Sequence, residues 1–149
     1  MKEVMQMLVK QISVFLENTK GRLFSVTDIL AKNNINIRAL SIADTTDFGI
    51  LRLIVNDPDE ANKVLRDNNF TVRMTDVVAV EISDTPGGLS SALNLLNEKD
   101  VAVEYMYAFL GNLSNNAMVI LKVDDVDKAV GVLTNSDIRL INASEVYSL

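Results

Sequence analysis

Apolar residues along this chain follow two spacings, one of every second residue and one of every third or fourth, and the two recur in the same order twice. Ile12, Val14 and Leu16 alternate with other residues and read as a strand, whereas Leu23, Val26 and Leu30 are spaced as one face of a helix. Asn18 to Gly21 reads as the turn between them, and Asn33-Asn34 stops the helix. Ile35 and Ile37 open a second strand, and Asp44 to Gly49 reads as a turn with Thr45, Thr46 and Asp47 at its tip. Leu51, Leu53 and Val55 then alternate as a third strand. The second helix carries a start signal: Asp57 as its cap, Pro58 at the first helical position and Glu60 three residues after the cap. Ala61, Val64 and Leu65 form its apolar face, and Phe70 and Val72 begin a fourth strand.

The same string follows again. A shift of 66 positions, Thr19 onto Thr85, also lays Gly21, Leu23, Ser25 and Leu30 on Gly87, Leu89, Ser91 and Leu96. After a loop two residues longer, a shift of 68 lays Val55, Asp57, Asp59 and Ala61 on Val123, Asp125, Asp127 and Ala129. The second half therefore predicts strands near Val78–Ile82, Val101–Tyr107, Met118–Val123 and Ile138–Ile141, with helices near Leu89–Glu98 and Val126–Thr134. Only Thr75-Asp76 separates the halves, so the expected domains are 1–75 and 76–149. A βαββαβ order gives the α+β, ferredoxin-like arrangement: a four-stranded antiparallel sheet in each half, with both helices on one face. Strand alternation places Phe15, Leu40, Ile42, Ile50 and Ile54 on the helix-free face of the first half, and Met106, Ala108, Met118 and Ile120 on that of the second. A bulge in the second strand would reverse some of these. So much apolar surface calls for a partner to cover it, and domains this small gain by pairing, so a homodimer is expected.

Composition narrows the chemistry. A formal charge of −6 opposes nucleic acid as a partner, since a phosphate backbone needs clustered Lys and Arg. The absence of Cys and His removes thiolate chemistry, disulfides and the commonest general base and metal ligand, so no catalytic residue, metal or cofactor is expected. No apolar run reaches the length of a membrane helix, and the N-terminal stretch is broken by charges. A cytoplasmic protein is expected.

Asp84-Thr85-Pro86-Gly87-Gly88-Leu89 lies between a strand and a helix. Its glycines permit a sharp turn and the close approach of a ligand, and the helix that follows offers unpaired N–H groups to a carboxylate. Asp84 supplies a charge for an ammonium, so the segment suits a zwitterion. A plain turn, with Asp84 or Thr85 capping the helix, explains the same residues. Asp124, Asp125 and Asp127 read as a helix start rather than a metal cluster. Tyr105 and Tyr107 are either contacts or rim aromatics, and Arg22 and Arg52 either carboxylate binders or solvated side chains.

Asp84–Leu89, with its helix and apolar strand, resembles the Asp-x-Pro-Gly-x-Leu motif of ACT domains. Glu17-Asn18-Thr19-Lys20-Gly21-Arg22-Leu23, with Asn34-Ile35-Asn36-Ile37 downstream, is similar to a variant of it. The resemblance covers nearly the whole chain and implies a stand-alone tandem pair that binds an amino acid or related small ligand. It implies contacts from the loop after the first strand and from the second strand. Residue by residue, the implied site is Asp84, Thr85, Pro86, Gly87, Gly88 and Leu89 with Asn18, Gly21, Arg22, Leu23, Asn36 and Tyr105. The first copy has Asn18 for the acid and Lys20 for the proline; the second has Ala102 for Asn36. A site drawing its loop and its strand from different copies follows as an expectation. The leading function is a regulatory amino-acid sensor without a catalytic domain. The alternative is a ligand-free adaptor or regulatory subunit of a metabolic enzyme. An enzyme is the weakest of the three.

Overall fold

The structure, a computed structural model, describes residues 2–17, 20–44, 48–110 and 116–149. Asn18 and Thr19, and the expected turn tip at Thr45, Thr46 and Asp47, lie outside the described residues. The elements are α1 (Lys2–Met7), β1 (Val9–Glu17), α2 (Arg22–Lys32), β2 (Ile37–Asp44), β3 (Phe48–Val55) and α3 (Pro58–Asp67). They continue as β4 (Thr71–Ile82), α4 (Gly88–Glu98), β5 (Val103–Ala108), β6 (Ala117–Val123), α5 (Val126–Thr134), β7 (Arg139–Ile141) and α6 (Ala143–Tyr147). Two compact units result: Lys10–Thr75, and Asp76–Leu149 together with Met1–Val9.

In the first unit β3 lies between β1 and β2, antiparallel to both, with Ile12 opposite Leu53 and Ile42 opposite Leu51. Val26 and Leu30 of α2 and Ala61, Val64 and Leu65 of α3 bury against Ile12, Val14, Leu51, Leu53 and Val55. Asp57 caps α3, its carboxylate accepting from the Glu60 N–H at 3.1 Å, as its sequence context predicts. Asn34, at φ 57°, ends α2 and turns the Ile35 N–H back to donate to the Leu30 carbonyl at 2.9 Å. Ile35 therefore closes a helix instead of opening a strand, while its side chain joins the core.

The second unit repeats these devices. Asp125 caps α5 by accepting from the Lys128 N–H at 3.1 Å, and Asp100, at φ 58°, turns Val101 back onto Leu96. Ala92 and Leu96 of α4 and Ala129, Val130 and Leu133 of α5 pack on Val78, Val80, Ile82, Val119, Leu121 and Val123. β6 pairs with both β4 and β5, and β7 lies on the other side of β4.

Three features depart from the sequence reading. First, both second strands are bulged. The Asn36 N–H donates to the Asn56 side chain at 2.9 Å and the Asn56 N–H to the Asn36 carbonyl at 3.2 Å, and register shifts between Ile37 and Ala39. Asp124 holds Ala102 in the same reciprocal way, with a shift between Val103 and Tyr105. A one-residue slip exchanges the two faces of a strand. Leu40, Ile42, Met106 and Ala108 consequently share the helix-side face with Leu53, Leu51, Leu121 and Val119, and not the helix-free face. Phe15, Ile50, Ile54, Met118 and Ile120 keep the expected face, and Ile54, Met118 and Ile120 are buried.

Second, β4 has no break at Thr75-Asp76. It is one twelve-residue strand, Thr71–Ile82, whose second half pairs with β6 and β7. Third, α1 and α6 have no counterpart in the predicted elements. α1 packs against α5 and α6, placing Val4 and Met7 on the core of the second unit. Replacing Met7 with Ala removes part of that packing and should cost about 1–2 kcal/mol, below the usual range for a fully buried site. Hydrogen exchange checks where: protection should fall in Val119–Val123 and Leu133 before Leu51–Val55. A loss confined to the first unit would contradict the assignment of α1.

Candidate functional site

The turn from β4 into α4 is built on two glycines that do different work. Gly87 sits at φ 88° and ψ −7°, in the left-handed region that a side chain makes unfavourable by about 1–2 kcal/mol. Gly21 enters α2 at φ 90° and ψ −4°, so the two copies share one backbone solution. Gly88 solves a packing problem instead: a Cβ there would lie 2.0 Å from the Ser83 carbonyl oxygen. Its N–H donates to the Thr85 carbonyl at 3.0 Å, and the Ser83 and Thr85 hydroxyls are 2.8 Å apart. The glycines thus shape the turn itself.

Neither Asp84 nor Thr85 caps α4. Gly87 is the cap position, no side chain bonds to it there, and no acid lies in the first turn. The start of α2 is the same. In α4 the Gly88 N–H is taken by the Thr85 carbonyl and the Ser91 N–H by the Gly87 carbonyl, and no side chain caps those of Leu89 and Ser90, an arrangement suited to an anion.

A cavity of about 470 Å³ opens beside this turn, within the second unit. It is lined by Ser83, Thr85, Pro86, Gly87, Gly88 and Ser91 of the turn and the start of α4, by Glu81 and Ile82 of β4, by Asn116 next to β6, and by Asp137, Ile138 and Arg139 at β7. Antiparallel pairing of β4 with β7 brings Arg139 opposite Glu81. The Arg139 guanidinium donates from Nη2 to both Glu145 oxygens at 2.6 Å, and its Nη1 lies 3.6 Å from Glu81. The Glu145 hydrogen bond holds the Arg139 pKa above its ordinary value. Asp137 is exposed and has no hydrogen-bond or ion-pair partner among the described residues.

Of the residues expected from sequence, Thr85, Pro86, Gly87 and Gly88 meet in this wall. Asp84 is exposed on the same turn but outside the wall, and Leu89 lies in a shallower groove of about 620 Å³ with Thr85, Ser90, Leu93 and Asn94. Tyr105, opposite Lys122 on β5, lines neither. Gly21, Arg22 and Leu23 stand together at the start of α2 in the first unit, and Asn18 is outside the described residues. The Arg22 guanidinium lies 4.2 Å from the Phe70 ring centroid, with its Nε buried and unbonded. Asn36 is tied through its backbone to Asn56. Sequence reasoning missed Glu81, Asn116, Asp137 and Arg139, which only the strand pairing gathers. Among the described residues no group of three or more His, Cys, Asp or Glu could hold a metal ion.

A family profile described as an ACT domain pair matches residues 7–149. Among solved structures, a protein from Bacteroides thetaiotaomicron is 48% identical over 96% of this chain and 98% of its own, with a TM-score of 0.90. The regulatory subunit of aspartate kinase from Thermus thermophilus, in its ligand-free form, is 14% identical over 87% and 93%, with a TM-score of 0.61. Its counterpart from Thermus flavus is 14% identical over 84% and 90%, with a TM-score of 0.58. These last two share the fold alone. No curated protein matches.

Two glycine replacements should act in opposite directions. Gly88→Ala drives a methyl group into the Ser83 carbonyl and should destabilise by about 1–3 kcal/mol. Gly131→Ala, in α5 with nothing within 4 Å of the added carbon, should stabilise by about 0.5–1 kcal/mol. Urea unfolding measures both, and a neutral Gly88→Ala would overturn the packing account of the turn.

Proposed function

The chain belongs to the family of ACT domain pairs, and we propose that it is a regulatory protein that binds an amino acid and performs no chemistry of its own. The cavity beside the uncapped start of α4 is the observation that carries this reading. The ligand carboxylate takes the Leu89 and Ser90 amides in the first turn of α4, where backbone donors and the helix dipole favour an anion. Hydroxyls of Ser83, Thr85 and Ser91 add neutral hydrogen bonds. Asp84, on the same turn, accepts from the ligand ammonium, and the ligand side chain extends into the cavity past Pro86. Leu89 packs at the rim. Gly21, Arg22 and Leu23 form the corresponding locus of the first unit, to which the sequence motif adds Asn18, and Asn36 and Tyr105 are candidate contacts from the second strands.

Each half of the sequence, 1–75 and 76–149, is taken as one ferredoxin-like repeat with the two helices of the repeat on one face, and α1 of the first half packs on the second unit. A homodimer is proposed because Phe15 and Phe48, with ring centroids 5.9 Å apart, remain over a third exposed. Among the described residues no helix is long and apolar enough to cross a membrane, and a cytoplasmic location is proposed. A second reading is an adaptor or separate regulatory subunit of a metabolic enzyme. The exposed Leu23 and Phe24 on α2 favour it, the latter 70% accessible, and the regulatory subunits of aspartate kinase supply the precedent.

A thermal-shift screen of the standard amino acids separates the two. A ligand at 100 times its Kd should stabilise by about 2.7 kcal/mol and raise Tm by roughly 5 °C or more. A blank across the set supports the adaptor. For any hit, Asp84→Ala removes a charged hydrogen bond of about 1.5–3 kcal/mol, so calorimetry should record a tenfold to hundredfold loss of affinity. Unchanged affinity in a folded variant would place the ligand elsewhere.

A further inference from the structure

We infer that the amino acid bound at this cavity carries a cationic side chain, and that Asp137 selects it; this rests on the amino-acid reading above and concerns the part of the lining at β7. Among the described residues that line the cavity Arg139 is the one base, and it is already engaged, by two 2.6 Å bonds to Glu145 and by Glu81 at 3.6 Å. A ligand carboxylate would have to displace a charge-assisted pair and then face the carboxylates it had displaced. Three acids, Glu81, Asp137 and Glu145, bear on the region against one guanidinium, which leaves a formal excess of two negative charges. The Glu81 side chain is only 19% exposed, so its charge is less screened than one at open surface.

Asp137 differs from the other two acids because it has no partner among the described residues. An acidic ligand side chain is repelled there, a neutral one leaves Asp137 solvated, and a cationic one pairs with it. Ile138, half-buried in the same lining, offers apolar surface to a methylene stem, the way long cationic side chains usually lie. The surrounding charge points the same way. Residues 1–9 and 76–149 carry five Lys and Arg against twelve Asp and Glu, whereas 10–75 carry nine against eight. A cation is thus drawn to the unit that holds the cavity.

Calorimetry on the full chain with L-ornithine, L-norvaline and L-glutamate tests this, because the first two differ only by the terminal ammonium. Ornithine should bind about tenfold tighter than norvaline, the worth of one charged hydrogen bond, and glutamate should bind weakest. Asp137→Asn should bring ornithine to within about threefold of norvaline and leave norvaline itself unchanged, which also serves as the control for folding. Glutamate binding as tightly as ornithine, or an ornithine preference that survives Asp137→Asn, overturns the inference and leaves the amino-acid reading standing. Failure of all three probes to bind, in a protein that the amino-acid screen also leaves unshifted, overturns both.

Discussion

A chain that leaves a strand and enters a helix within a few residues must reverse direction sharply, and here that reversal is made by a backbone with φ near +90° at Gly21 and Gly87. Much follows from it. The left-handed residue occupies the cap position, so no side chain there can satisfy the helix amides, and α2 and α4 both begin uncapped. In the second unit the turn closes further, with Gly88 packed on the Ser83 carbonyl, and the cavity forms between this tight turn and the start of β7. Arg22 occupies the position that matches Gly88. Its side chain lies over Phe70, so the same backbone turn presents a guanidinium in one unit and a bare main chain in the other.

What the sequence made legible was local. Asp57 and Asp125 announce their helices because a cap bonds within three residues, and both do so. The repeat was legible because Gly21 and Gly87 answer the same steric demand at the same place in each copy. What was hidden depends on distant partners. Leu40 and Met106 were read onto the wrong face because each bulge is held by a residue about twenty positions away, Asn56 for one and Asp124 for the other. α1 precedes the first unit in sequence yet packs on the second, which no periodicity in Lys2–Met7 could announce. Asp137 and Arg139 escaped notice because β7 is only three residues long, and its pairing with Glu81 is not written in either segment.

Membership of the ACT domain pair family gives these features a shared purpose without assigning a ligand. A fold fixes where a turn, a helix start and an edge strand meet; the side chains placed there decide what is bound. The second unit combines a helix start that no side chain caps with an excess of carboxylates, a combination that suits a molecule bearing both signs of charge. The first unit offers the helix start with a stacked arginine, so the two copies have diverged in chemistry while keeping one backbone plan.

The claim at the centre of this account is that a small zwitterion binds at the turn into α4. Amide chemical-shift mapping of the 15N-labelled chain during titration with a mixture of amino acids addresses it directly. Saturable shifts should gather in Ser83–Ser91, Asn116 and Asp137–Arg139, the segments around the cavity. Saturable shifts confined to Gly21–Phe24 and Asn36, with Ser83–Ser91 unmoved, would contradict it.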